Sequence, residues 1–475
     1  MRFDQVSFWL LFVVAWVAWR WLPFRAAKGA LLVASIVFYA WWRPEYVLLL
    51  LFSAGVDFTV ARRIHASDDI RARKRWLWVS LATNLGLLAF FKYTPLVVST
   101  SIDVAGWLGA DASPWALGRW VVPVGISFYT FQTLSYSLDV YRGRFVPITR
   151  FADFLLYVTF FPQLVAGPIV RAAEFLPQLA RRRPLSPAAL QFGVYCVLQG
   201  LFLKVVIADN LARQVERAFD APGHLSRSPL EAWLGTLYFG AQIFADFAGY
   251  SRIAIGLAYL LGLRFPENFR YPYIARSLSE FWTRWHITLS SWLRDYLYIP
   301  LGGNRGTRAR TYVNLMVTML LGGLWHGAAW TYLAWGALHG AALGIERALG
   351  GGRTREGAQP PGRCASFVRI AAVFLVVHVA WVFFRARSFE AALGVLRDMF
   401  VGPFVEPVFG LNQLGSARHL VLLAPLVALH VAQWAHEHHG LRKTAARRMW
   451  AAVFFTLALL LIERGGAAPF LYFQF

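Results

Sequence analysis

The sequence predicts an all-α polytopic membrane protein, and three observations predict it. Of its 475 residues, 58% are hydrophobic and only 15% charged, a balance well outside that of soluble domains. Apolar runs of about 17–22 residues, long enough to cross a bilayer as helices, recur from end to end. Between them lie short loops crowded with Lys and Arg, the bias that marks cytoplasmic loops. These loops account for the formal net charge of +22, so the charge calls for no nucleic acid partner.

Taken in order, the first run (MRFDQVSFWLLFVVAWVAWRWL) has no small-residue cleavage site and reads as a retained span over 5–22. Further spans are expected near 29–43, 45–61, 76–93, 120–140, 190–208, 230–248, 311–330, 332–349, 366–384, 419–435 and 449–464. With the N-terminus outside, the basic clusters Arg20/Arg25/Lys28, Arg62–Arg75, Arg142–Arg150, Arg171–Arg183, Arg264–Arg310, Arg347–Arg363 and Arg442–Arg448 all fall on the cytoplasmic side. The loops 94–119, 209–229 and 385–418 then fall outside. The chain reads as one transmembrane domain, 1–475, with a cytoplasmic interfacial segment at about 264–310. Residues 350–362 (GGGRTREGAQPPG) form a plain flexible loop. Cys196 lies in an apolar run and Cys364 in a basic loop, so neither a disulfide framework nor a cysteine metal site is implied.

Two apolar stretches do not read as simple spans. Residues 151–170 (FADFLLYVTFFPQLVAGPIV) lie between two clusters on the same side, and Pro162, Gly167 and Pro168 would break a helix there. A re-entrant segment is expected, with irregular backbone shielded by protein. In Leu278–Leu297 the residues Leu278, Phe281, Trp282, Trp285, Leu289, Trp292, Leu293 and Tyr296 follow helical spacing, with Glu280, Thr283, Arg284, Ser291 and Arg294 opposite. That predicts one amphipathic helix at the cytoplasmic interface, with His286 at the edge of its apolar face.

The chemistry points to LLGGLWHGAAWTYLAWGALHG, residues 320–340, where His326 sits in mid-run beside Trp325 and among Gly322, Gly323 and Gly327. An ionisable side chain at that depth is tolerated when it stays neutral, finds partners or faces a wet cavity, which makes it a functional candidate. A neutral imidazole is also what a general base requires. The competing reading is a hydrogen-bonded structural histidine, with the glycines serving tight helix packing. His286 divides evenly between a site role and packing. His339 follows His326 by 13 residues, about 20 Å and about 220° along a continuous helix, so it reads as structural. His436, His438 and His439 read as a solvated loop end rather than a metal site. Asp57, Asp139 and Asp246 lie in or at the ends of apolar runs, as relays, cation sites or arginine partners; for Asp246, a polar network with Gln242, Tyr250 and Arg252 is favoured.

Longer segments carry a resemblance. VPVGISFYTFQTLSYSLDVYRG (122–143), FFPQLVAGPIVRAAEFLPQL (160–179), GLFLKVVIADNLA (200–212), LGLRFPENFRYPY (261–273), FWTRWHITLSSWLRDYLYIPLGGNRG (281–306), MLLGGLWHGAAWTYLAWGALHG (319–340) and PFLYFQF (469–475) resemble the membrane-bound O-acyltransferase family, in its bacterial alginate O-acetyltransferase-like branch. The resemblance implies a ring of about 11–12 helices, with re-entrant and interfacial helices, around a tunnel joining the two membrane faces. By it, His326 corresponds to the catalytic histidine and His286 to the second signature histidine. The chain departs from the family pattern at Ala248 and Arg252 (DFAGYSR for DFSGYSD), at Ala329 (WHGAAW for WHGANW) and at Thr283 before RWH.

The resemblance implies acyl transfer in a bacterial inner membrane, with no permanently bound cofactor, no metal and acetyl-CoA as donor. Donor phosphates would meet Arg284, Arg294 and Arg305, and Trp325, Gly323, Gly327 and Trp330 would line the tunnel. A periplasmic acetyltransferase partner and an exopolysaccharide acceptor such as alginate are implied as well. Peptidoglycan, cellulose, teichoic acid (as D-alanyl) or a small molecule are the alternative acceptors. A transporter or channel using His326 and the acids as a proton path is the other class, but the paired, repeated broken helices of many secondary transporters are not in evidence.

Overall fold

The computed structural model describes residues 1–109, 121–220, 228–350, 362–401, 417–439 and 471. Among these residues every regular element is helical and none is a strand. Four described helices, Ile70–Trp107, Pro187–Phe219, Pro229–Leu260 and Cys364–Arg385, are long and apolar enough to cross a membrane, and Val6–Trp21 and His419–Ala432 are shorter apolar helices. The fold class is therefore all-α, as its composition requires. The chain divides into two compact units, one of residues 1–197 with 251–266 and one of 198–250 with 267–475.

In the first unit, indole donors fasten the first helix: Trp16 Nε1 donates to the Leu260 carbonyl at 3.0 Å and Trp19 Nε1 to that of Leu261 at 2.7 Å. Asp57 is buried among neutral donors, accepting from Ser80 Oγ at 2.5 Å, Asn84 Nδ2 at 2.7 Å and Ser137 Oγ at 3.0 Å. The stretch 151–170 breaks as its prolines demand. Its helix, Phe151–Thr159, stops short of Pro162, and residues 160–170 continue as buried turns. Local bonds hold them: the Gln163 amide donates to the Phe160 carbonyl at 3.0 Å and the Gly167 amide to that of Gln163 at 2.9 Å, while Tyr157 Oη donates to the Val170 carbonyl at 2.9 Å and Gln163 Nε2 to the Tyr157 carbonyl at the helix end at 2.8 Å.

Three expected loops are corrected. Helix Ile70–Leu88 begins at an Asp69 cap and runs through a π-helical turn, Ala89–Tyr93, into Thr94–Trp107. Pro95 falls where the π-helical turn gives way to that last piece, and the Thr94 hydroxyl donates to the Phe90 carbonyl at 2.6 Å, so the helix passes the proline instead of ending there. Asp209–Phe219 is helical because Leu211, Ala212, Val215, Ala218 and Phe219 share a buried face. Phe389–Val401 is helical on the same principle, burying Ala392, Val395 and Met399. The expected span 449–464 and the side chains of His436, His438 and His439 lie outside the described residues.

Asp246 has partners beyond the sequence neighbours that suggested a network. In the second unit its carboxylate lies 2.7 Å from Lys204 Nζ, which also pairs with Asp209 at 2.8 Å. Its other oxygen accepts the Leu471 amide at 2.7 Å. Close approach makes the pairing possible: an ideal Cβ on Gly249 would stand 2.8 Å from the Gly200 carbonyl oxygen and 3.1 Å from the Lys204 nitrogen.

Candidate active site

Helix Arg308–His326 is capped by Thr307, whose hydroxyl accepts from the Arg310 amide at 3.2 Å. It ends at His326 because Gly327 is extended, and the chain restarts as helix Trp330–Ala348. Glycine lets the two helices of this hairpin meet main chain to main chain. A Cβ on Gly323 would collide with the Tyr332 carbonyl, one on Gly336 with the Met319 carbonyl, and one on Gly327 with the Tyr332 ring. His326 thus sits at a hairpin tip, 3% exposed. Ring centroids of Trp325, Trp335 and Phe384 surround it at 5.0, 5.1 and 5.2 Å.

The expected single helix over Leu278–Leu297 is two short helices, Leu278–Arg284 and Ile287–Leu293, followed by a π-helical turn, Arg294–Tyr298. The first begins at a Ser277 cap: its Oγ accepts from the Glu280 amide at 3.0 Å, and the Glu280 carboxylate accepts from the amide of Arg276, one residue before the cap, at 2.8 Å. The break falls at His286, whose φ of 41° is left-handed. Tyr271 and His286 are the two described non-glycine residues with positive φ, a conformation kept only where surrounding contacts over-determine it. Here the contacts come from the segment Asn268–Arg270. The Arg270 amide donates to the Arg284 carbonyl and the Ile287 amide to the Asn268 carbonyl, both at 2.9 Å.

That break carries His286 inward from the surface edge where helical spacing put it: it is fully buried. Its ring centroid lies 4.6 Å from Phe247, 5.8 Å from Trp325 and 6.4 Å from His326. Its Nδ1 is 3.1 Å from Asn268 Oδ1, which also accepts from the Thr288 amide at 3.3 Å and the Thr288 hydroxyl at 2.9 Å. Burial pushes the imidazole down to about 3, so it is neutral at physiological pH.

The two histidines are thus brought together in one aromatic enclosure with Trp325. Other candidates stand apart. Trp330 is 51% exposed at its helix start. Arg284 is bound to Glu280 at 2.8 Å and donates to the Arg270 carbonyl at 3.2 Å. Exposed Arg294 pairs with its neighbour Asp295 at 2.7 Å, and Arg305 is exposed. His339 is buried behind Trp335, with ring centroids 4.9 Å apart, against Phe281 and Trp282. Asn268 was not singled out from sequence; the Pro-Glu-Asn run that holds it offers only a turn signal. Lys204 was missed too, although a lysine within an apolar run is itself a signal.

The family described as MBOAT, membrane-bound O-acyltransferase family, matches residues 144–386, a range holding both histidines and Asn268. The chain is 41% identical over 404 residues to a probable alginate O-acetylase of Pseudomonas aeruginosa, covering 84% of this chain and 75% of that protein. With a probable alginate O-acetylase of Pseudomonas putida it shares 36% identity over 501 residues, 100% of each chain. A peptidoglycan O-acetyltransferase of Helicobacter pylori is 37% identical over 395 residues, 78% of this chain and 73% of that protein.

Proposed function

The chain belongs to the membrane-bound O-acyltransferase family, and from that premise we propose that it moves an acetyl group from cytoplasmic acetyl-CoA across a bacterial inner membrane for O-acetylation of an exopolysaccharide such as alginate. The observation that carries this reading is the pair of buried imidazoles, His286 and His326, with ring centroids 6.4 Å apart. The named alginate O-acetylases support the polysaccharide acceptor, and a periplasmic acetyltransferase is the receiving partner in this proposal. Likeness to the Helicobacter pylori enzyme favours peptidoglycan as the second acceptor.

The chemistry is an exchange of a C–S bond for a C–O bond. The acceptor hydroxyl attacks the thioester carbonyl, an imidazole takes the hydroxyl proton, and the departing thiolate receives a proton in turn. His326 is the base in this reading and His286 the second catalytic imidazole, the enclosure of Trp325, Trp335 and Phe384 excluding water from the reacting carbonyl. Donor phosphates meet Arg284, Arg294 and Arg305 on the cytoplasmic side. Trp325, whose ring meets both imidazoles, lines the acyl path, while Gly323 and Gly327 support it by packing the hairpin and Trp330 stands at its exposed start.

The test uses a host lacking its own transferase, complemented with the native chain or His326→Ala, with both proteins quantified in membranes. Polysaccharide-bound acetate should return with the native chain and stay at background with His326→Ala. Equal acetate from both would remove His326 from the chemistry. Acetate on peptidoglycan alone would move the acceptor to the second reading.

A further inference from the structure

The hydrogen bonds around Asn268 assign a tautomer. An amide nitrogen and oxygen are alike in shape, but a backbone N–H only donates. The Thr288 amide points at the Asn268 side-chain atom at 3.3 Å, so that atom is the oxygen. The Thr288 hydroxyl reaches the same atom at 2.9 Å and His286 Nδ1 at 3.1 Å. Against an amide oxygen, Nδ1 must carry the proton, which leaves the lone pair of the neutral ring on Nε2. The position of Asn268 is itself fixed, since its carbonyl accepts the Ile287 amide at 2.9 Å on the far side of the left-handed turn.

Building on the acyl-transfer reading above, we propose that Asn268 is a positioning residue that holds His286 as the Nδ1–H tautomer, so that Nε2, with its lone pair, is the nitrogen that His286 offers to the centre it shares with the base His326. Asn268 works through His286 and touches no substrate. The titratable group whose ring faces His286 is His326. The charged groups on the elements around it are engaged in pairs: Glu280 with Arg284, Glu267 with Arg270, and Asp246 with Lys204. The acceptor that faces Nδ1 is a neutral amide.

The experiment compares native chain, Asn268→Leu, Asn268→Asp and His286→Ala in membranes, by acetyl transfer against pH. Asn268→Leu removes the acceptor at similar volume and should lower kcat by about 100-fold, with donor KM within about twofold. In a His286→Ala background the same change should lower kcat no further. Asn268→Asp keeps an oxygen acceptor but adds charge beside Nδ1–H, favouring the imidazolium. Its activity should fall on the acid side and recover as pH rises, the acid limb moving upward by a unit or more. Native kcat and pH profile in both Asn268 variants would overturn the proposal. If Asn268→Leu fails to accumulate, the limb of Asn268→Asp decides alone: shifted supports the proposal and unshifted overturns it. Selective 15N labelling of histidine separates this outcome from failure of the acyl-transfer reading. A ring with protonated Nδ1 and bare Nε2, lost in His286→Gln, upholds the tautomer even without turnover, and a protonated Nε2 at that ring overturns it.

Discussion

Lys204 stands where an apolar helix would ordinarily hold leucine, its ammonium 2.7 Å from Asp246 and 2.8 Å from Asp209. Breaking such a buried arrangement from one side leaves uncompensated charge, here two carboxylates. Lys204→Met should therefore destabilise the protein by about 3–5 kcal/mol, read as lost thermal stability in detergent. Asp209→Asn should cost less, because Asp246 still holds the lysine. A small loss in Lys204→Met would show that the charges are solvated. Single residues were unevenly legible in the sequence. His326 stood out because an apolar run leaves an ionisable group no ordinary reason to be there. Asp246 stood out likewise, but its partners were sought one helical turn away, whereas the lysine arrives from another helix through the gap at Gly249. Asn268 was invisible because its importance lies in what it accepts from Thr288 and His286, contacts that local pattern does not encode.

Among elements, the short helix Leu278–Arg284 is held from outside itself. Glu346, on the far helix of the His326 hairpin, accepts the Leu278 amide at 2.5 Å, the Ser279 amide at 3.3 Å and the Ser279 hydroxyl at 2.6 Å. A seven-residue helix is too short to persist unaided, and an acid at its N-terminus satisfies amides that have no partner within the helix. Glu346→Ala should cost about 1–3 kcal/mol of stability. It should also lower turnover by on the order of tenfold, since this helix leads into His286. Glu346→Gln, which keeps an acceptor oxygen, should recover part of both; unchanged melting and turnover in Glu346→Ala would show that the helix is held otherwise. The split at His286 was not legible, because apolar spacing continues through it as though the helix did. Contacts from Asn268–Arg270 override that local pattern, and the override carries the histidine from an interfacial edge to the interior.

For the whole molecule, composition and the recurrence of apolar runs sufficed for the all-α membrane class, since a bilayer admits few backbone solutions. Helix ends were less legible: Asp209–Phe219 and Phe389–Val401 read as loops although each has a buried apolar face, and Thr94–Trp107, which buries no residue, offers no such face to read. The sidedness assigned from basic clusters is open to a direct check through the two native cysteines, of which Cys196 is buried and Cys364 exposed. Cys364 adjoins the Arg347–Arg363 cluster. A membrane-impermeant maleimide should miss it in spheroplasts and label it in inside-out vesicles, with Cys196 reacting only after denaturation. Labelling of Cys364 in spheroplasts would invert the topology.

The contact of Gly323 with the Tyr332 carbonyl, and of Gly336 with the Met319 carbonyl, bears on how such a chain can diverge. A wall built of side chains can be resurfaced one substitution at a time, each neighbour adjusting its rotamer. Where peptide group rests on peptide group there is nothing to adjust, and the smallest added methyl forces the helices apart. The support beneath His326 can be inherited whole or lost, but not tuned. Descendants that come to modify a different polymer must do so by altering what surrounds this hairpin.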